Sequence, residues 1–226
     1  MYPFFYDPTM IVLLPALLFA AWAQWKVQST FARYDQKPSL SGKTAEEVAY
    51  QILLQNGIQN VVIERTPGLL TDHYDPRTRV LRLSYSTYGN NSIAAIGVAA
   101  HEAGHAVQHA RIFLPLVIRN LIYPVAAFSS YMAFPLFLLG LLAGLPFLLD
   151  FGIYLFTGTV AFHLVTLPVE IDASRRAVAA LKQGYMDERE LQGVKAVLTA
   201  AALTYIAATL MALLELLRLL WLRNRD

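Results

Sequence analysis

The feature that most constrains this chain is a long apolar stretch over about residues 112–167. A helix rises roughly 1.5 Å per residue and a bilayer core takes about 20 residues, so the stretch is too long for one span. Gly140, Gly144 and Pro146 mark a break in it, which predicts two spans over about 117–142 and 147–167. A chain of 226 residues that is 56% hydrophobic and only 15% charged agrees with that reading, because soluble domains carry about 25% charged residues.

Two more apolar runs are long enough to cross. One covers about residues 10–25 and the other about 197–220. Ala21-Trp22-Ala23 has the small-residue pattern of a signal-peptide cleavage site. Residues 1–9 carry no Lys or Arg, however, and a secretory leader needs positive charge there. The run is therefore read as a retained anchor with its N-terminus outside. With four spans, the polar segments around 28–111 and 168–195 share one side and hold most of the Lys and Arg. The other side has only Arg218, Arg223 and Arg225. The positive-inside rule places the dense side in the cytoplasm. The basic C-terminus leaves a partly interfacial last helix as the alternative to a fourth full span.

The segment 28–111 reads as globular. Thr44-Ala45-Glu46-Glu47 fits a capping box ahead of a helix that buries Val48, Ile52 and Leu53 and stops at Asn56-Gly57. Val61-Val62-Ile63 reads as one strand, and the alternation over 79–84 as another, with Asp75-Pro76 turning between them. Asn90, Asn91 and Ser92 are N-cap candidates for the next helix.

That helix carries His101-Glu102-Ala103-Gly104-His105. Residues four apart stand one above the other on a helix, so both imidazoles can reach one ion. Glu102 lies beside them as the base of an H-E-x-x-H arrangement. Zinc is the expected ion, since it polarises carbonyls and brings the pKa of water it holds to about 7. The chain has no Cys and five His, so any metal is held by His, Asp or Glu. Ile93, Ile96, Ala100, Gly104 and Val107 form a face suited to burial.

A catalytic zinc usually takes three protein ligands. Glu170 is the expected third, in a helix that Pro168 would start where a span ends. Asp172 is about 200° further round such a helix and is expected to cap it or to pair with Arg175 or Arg176. A rival ligand is Asp150, in Leu149-Asp150-Phe151-Gly152, which loosely resembles an element of site-2-type intramembrane proteases. A third reading is a membrane zinc scaffold without catalysis. His73 is a candidate for substrate contact or oxyanion stabilisation. His109 and His163 are candidates for supporting the ligands, and Arg175 for contact with substrate. The strand over 80–84 is expected to offer its edge to an extended peptide.

The chain also resembles the YugP-like bacterial membrane zinc metallopeptidases, a neutral zinc protease family distantly related to the HtpX and CAAX-prenyl proteases. The resemblance rests on Leu70-Thr71-Asp72-His73-Tyr74-Asp75-Pro76, Ala99-Ala100-His101-Glu102-Ala103-Gly104-His105-Ala106-Val107-Gln108, Leu167-Pro168-Val169-Glu170 with Asp172-Ala173-Ser174, and Ala201-Ala202-Leu203-Thr204-Tyr205. It implies a cytoplasm-facing, gluzincin-like site with Glu170 as third ligand. HtpX-type enzymes carry an Asp where this chain has Ser174, so Ser174 or another group must orient a histidine ligand.

The expected fold is mainly α: a polytopic membrane protein with about four transmembrane helices and a small cytoplasmic α+β zincin-like part. Its divisions are an anchor (1–27), a cytoplasmic part with short sheet and motif helix (28–111), two spans (112–167), a cytoplasmic helix with the third ligand (168–195), and a last span and tail (196–226). The expected activity is peptide-bond hydrolysis with one catalytic zinc ion, on a polypeptide or membrane-protein substrate, at a bacterial inner membrane. The formal net charge of +2 and the lack of a basic block with interleaved aromatics exclude nucleic acid as a partner. The sequence names no regulatory partner.

Overall fold

The computed structural model describes residues 8–224. After a 3₁₀ turn at Pro8–Leu13 come α1 (Leu14–Asp35), α2 (Ala45–Gln55), β1 (Val62–Arg65), β2 (His73–Asp75), β3 (Val80–Leu83), α3 (Ile93–Ala110), α4 (Leu114–Ala143), α5 (Pro146–Lys182) and α6 (Glu188–Arg223). Four segments are long and apolar enough to cross a bilayer: Thr9–Asp35, Leu114–Ala143, Pro146–Lys182 and Glu188–Arg223. The protein is thus a mainly helical membrane protein with a small sheet.

The chain forms two compact units. One takes the described residues up to Ala23, Ile118–Leu167, and the described residues from Thr204 onward. The other takes Gln24–Val117 and Pro168–Leu203. In the first unit large apolar side chains face outward: Leu121, Tyr131, Phe147 and Tyr154 are each more than 75% exposed. Soluble surfaces rarely show such a run, whereas lipid solvates it at no cost. Its helices meet through glycines, as expected where close backbone approach replaces hydrophobic driving force. A Cβ on Gly140 would lie 2.6 Å from the Leu149 nitrogen, and one on Gly152 would lie 2.8 Å from the Ala133 carbonyl oxygen. Gly144, at φ 63°, makes the break between α4 and α5.

The second unit has an ordinary mixed core. Val48, Ile52 and Leu53 of α2, Leu81 and Leu83 of β3, Ile96 and Ala103 of α3, and Leu181 and Leu191 of α5 and α6 are buried together. The predicted helix over 45–55 starts after Thr44, whose N–H donates to Glu47 Oε2 at 2.9 Å, while the Thr44 hydroxyl finds no partner. It ends at Asn56, with Gly57 at φ 73°.

Two sequence expectations need correction. Pro168 does not open a helix: it lies inside α5, which runs unbroken to Lys182. Proline removes only one backbone donor, and a helix absorbs that when its faces are packed. The strand over 80–84 has no free edge. β3 sits between β1, parallel to it, and β2, antiparallel to it, so both rows of its backbone groups are paired. β2 itself was not expected, since its three residues are too few to show a period. The last helix runs in one piece to Arg223, and Arg218 within it is neutralised by Glu215 at 2.8 Å.

Candidate metal centre

The centre is built on α3. Ser92 caps it, its hydroxyl accepting from the Ala95 N–H at 3.1 Å. The helix is buried along most of its length because Ala94, Ala95, Ala99, Ala100 and Ala103 let neighbouring elements come close. At Gly104 this approach becomes a requirement. A Cβ there would lie 2.7 Å from the Ala173 carbonyl oxygen of α5. The glycine between the two histidines therefore lets α5 lie directly against α3, and α5 carries Glu170.

The result is a convergence of three donors. Glu170 Oε2 lies 3.2 Å from His101 Nε2 and 3.5 Å from His105 Nε2, and the three donor atoms lie within 4.8 Å of one another. The imidazole rings stand edge to face with centroids 4.7 Å apart. Among the described residues no other set of three His, Asp or Glu side chains is so arranged.

The far side of each imidazole is also held. His105 Nδ1 faces Gln108 Oε1 at 3.0 Å. Gln108 is fully buried, and its Nε2 donates to the Val169 carbonyl and to Asp172 Oδ2, each at 2.8 Å. Both of those partners only accept, so the amide oxygen must be the atom facing His105. His105 therefore carries its proton on Nδ1, and its Nε2 presents a lone pair to the centre. His101 Nδ1 lies 3.1 Å from the Ser174 hydroxyl.

A comparison of the whole chain fits this geometry. Residues 9–224 match a family described as "Putative neutral zinc metallopeptidase". The chain belongs to this family. It is 47% identical over 220 residues to a Bacillus subtilis (strain 168) protein described as "Putative membrane protease YugP", covering 96% of this chain and 98% of that one. No solved structure matches.

A zinc ion fits the donors of this family member. Two donors at about 2.0–2.1 Å from a tetrahedral zinc lie roughly 3.3–3.4 Å apart, against 3.2 and 3.5 Å here. A lone pair turned toward a carboxylate oxygen is repulsive unless a cation lies between them. Without the ion a proton can fill that role. Burial pushes the His105 pKa down, but the hydrogen bond and charge of Glu170, the charge of Glu102 and the Gln108 bond together outweigh it, and the net shift is upward.

Glu102 is 8% exposed, and its carboxylate has no hydrogen bond or ion pair among the described residues. Asp172, besides holding Gln108, pairs with Arg176 one turn on. The remaining candidates lie apart from the three donors. His109 Nδ1 lies 2.9 Å from the Tyr74 hydroxyl. Burial raises the Tyr74 pKa, so that hydroxyl stays protonated. His73 is exposed on β2, its Nδ1 at 2.9 Å from the Thr71 carbonyl. His163 belongs to the other unit, where its ring meets Phe162. Arg175 is exposed and has no ion pair among the described residues. Asp150 is held by Arg223 at 2.9 Å. Gln108 is the residue that sequence reasoning gave no role. Its only local signal was an amide three positions after His105, on the same face of the helix.

Proposed function

We propose that the protein is a zinc-dependent endopeptidase of a bacterial plasma membrane, with its centre toward the cytoplasm and polypeptides, membrane proteins included, as substrates. One observation carries this reading: two imidazole Nε2 atoms and one carboxylate oxygen converge at zinc-like spacing, next to a buried glutamate without a hydrogen bond. A purely structural site has no use for that glutamate. The description of the Bacillus subtilis relative as a membrane protease points the same way.

His101, His105 and Glu170 would hold one zinc ion. Zinc in such a set supplies Lewis-acid polarisation of the scissile carbonyl and acidifies water. Glu102 accepts a proton from the attacking water as its oxygen bonds to the carbonyl carbon. The same carboxyl then gives that proton to the amine as the C–N bond breaks. Gln108 and Ser174 keep the imidazoles turned so that each Nε2 faces inward. The cytoplasmic side follows from the Lys and Arg distribution over the spans. Asp150 as the third ligand loses its support, because Arg223 already balances that carboxylate.

The test is metal content, measured by mass spectrometry on protein purified gently without chelator. Wild type and the Asp150→Ala variant are expected to hold about one zinc, and Glu170→Ala to hold none. A metal-free wild type would remove the basis of the reading. Zinc lost from Asp150→Ala and kept by Glu170→Ala would move the site into the membrane.

A further inference from the structure

The second unit has a groove between the end of α5 and the start of α6, with a volume of about 480 Å³. Its floor is apolar, formed by Ile171, Val178, Leu198 and Ala202, and its rim carries Arg175, Lys182 and Lys195. No carboxylate lines it. Lys195 has one counter-ion, Glu188 at 3.2 Å. Arg175 and Lys182 have no ion pair among the described residues.

The polarity runs along the groove. α5 and α6 are joined by a short turn after Lys182, so Lys182 stands at the turn end, with Arg175 seven residues before it on α5 and Lys195 seven residues into α6. Ile171 and Ala202 stand at the other end, Ile171 four residues after the apolar stretch that ends at Leu167 and Ala202 inside the run over about 197–220. Eleven helical residues separate Ile171 from Lys182, about 16 Å, close to the length of a phosphate head with its glycerol and the first part of an acyl chain.

We propose that this groove binds an anionic phospholipid, with its phosphate between Arg175 and Lys182 and one acyl chain toward Ile171 and Ala202. Cations at one end and an apolar floor at the other match a lipid in the cytoplasmic leaflet, where juxtamembrane Lys and Arg meet anionic head groups. The occupant is not the peptide substrate. Ser174, which lines the groove, touches His101 on Nδ1, the side away from the convergent Nε2 atoms. The proposal rests on the membrane reading above, but its readout is lipid retention rather than peptide cleavage, so the two fail separately.

The experiment is native mass spectrometry of the full chain in mild detergent, titrated with phosphatidylglycerol or phosphatidylcholine. Wild type is expected to retain one phosphatidylglycerol in preference to phosphatidylcholine. The Arg175→Gln/Lys182→Gln double variant is expected to lose that preference by about tenfold to thirtyfold, and Arg77→Gln to keep it. Ala202→Trp fills the apolar end without changing charge and is expected to reduce retention too; a wild-type thermal unfolding midpoint in detergent for each variant certifies the fold. Equal retention of both lipids, or a double variant that behaves as wild type, would overturn the proposal. Displacement by millimolar inorganic phosphate would overturn it in favour of a free-phosphate site, and displacement by an acidic apolar peptide in favour of a peptide site.

Discussion

The two units balance charge in different ways. In the membrane unit both described carboxylates are matched by arginines: Glu215 by Arg218 at 2.8 Å, and Asp150 by Arg223 at 2.9 Å. In the other unit Glu170 is as deeply buried as any carboxylate among the described residues, at 3% exposure, and its partners are two imidazoles. No Lys or Arg comes to it. A buried carboxylate without a cation is costly, so the balance there is left to an ion or a proton. Pairing by side chains closes a site to metal, and its absence opens one.

The glycines repeat the contrast. Gly152 and Gly104 both let backbones meet, each with an ideal Cβ position under 3 Å from a carbonyl oxygen. At Gly152 the contact joins two apolar helices. At Gly104 it sets the distance between the helix with two donors and the helix with the third.

The largest expected effect breaks the comparison at its chemical end. Glu102→Gln should keep zinc and lower peptide turnover by about 10²–10⁴-fold, the usual contribution of a positioned general base. Turnover on a fluorogenic peptide, beside metal content, checks this; an active Gln variant would end the mechanism. Next, Gln108→Leu should weaken zinc binding by about 10–100-fold, measured by competition with a chelating dye. Wild-type affinity would show that the amide does not orient His105.

Gly104→Ala and Gly152→Ala sharpen the glycine contrast. Each should lose about 1–3 kcal/mol of stability, since a methyl is forced against backbone, and thermal unfolding in detergent reads this. Only Gly104→Ala should also weaken zinc binding. If both or neither did so, the division of labour between the glycines would be wrong. The smallest effect belongs to Arg223→Gln. Its ion pair with Asp150 is about half exposed on both sides, so stability should change by no more than about 1 kcal/mol, with zinc content untouched.

Much of the site was legible in the sequence because its information is local. Residues four apart on a helix share a face whatever the rest of the chain does, so His101 and His105 read as a pair. Apolar length alone gives four spans, because the bilayer sets a fixed thickness. The cap at Ser92 and the stop at Asn56-Gly57 followed from backbone groups that must be satisfied within a few residues. β2 was not legible: three residues carry no period, and its pairing with β3 came from the intervening turn, where Asp75 accepts from the Arg77 N–H at 2.9 Å.

What the sequence by itself determined was a pair of ligands on one helix, a membrane chain to hold them, and a short list of carboxylates for the third position. The tertiary structure alone chose among these. Glu170 stands 65 residues after His105, and only the close passage of α5 over Gly104 brings its oxygen to 3.5 Å. The same passage gives Gln108 its two acceptors on α5 and fixes the proton of His105, and it places Ser174 behind His101. Those contacts depend on the separation of two helix axes to within an ångström, and that separation is set by packing, which no local pattern records.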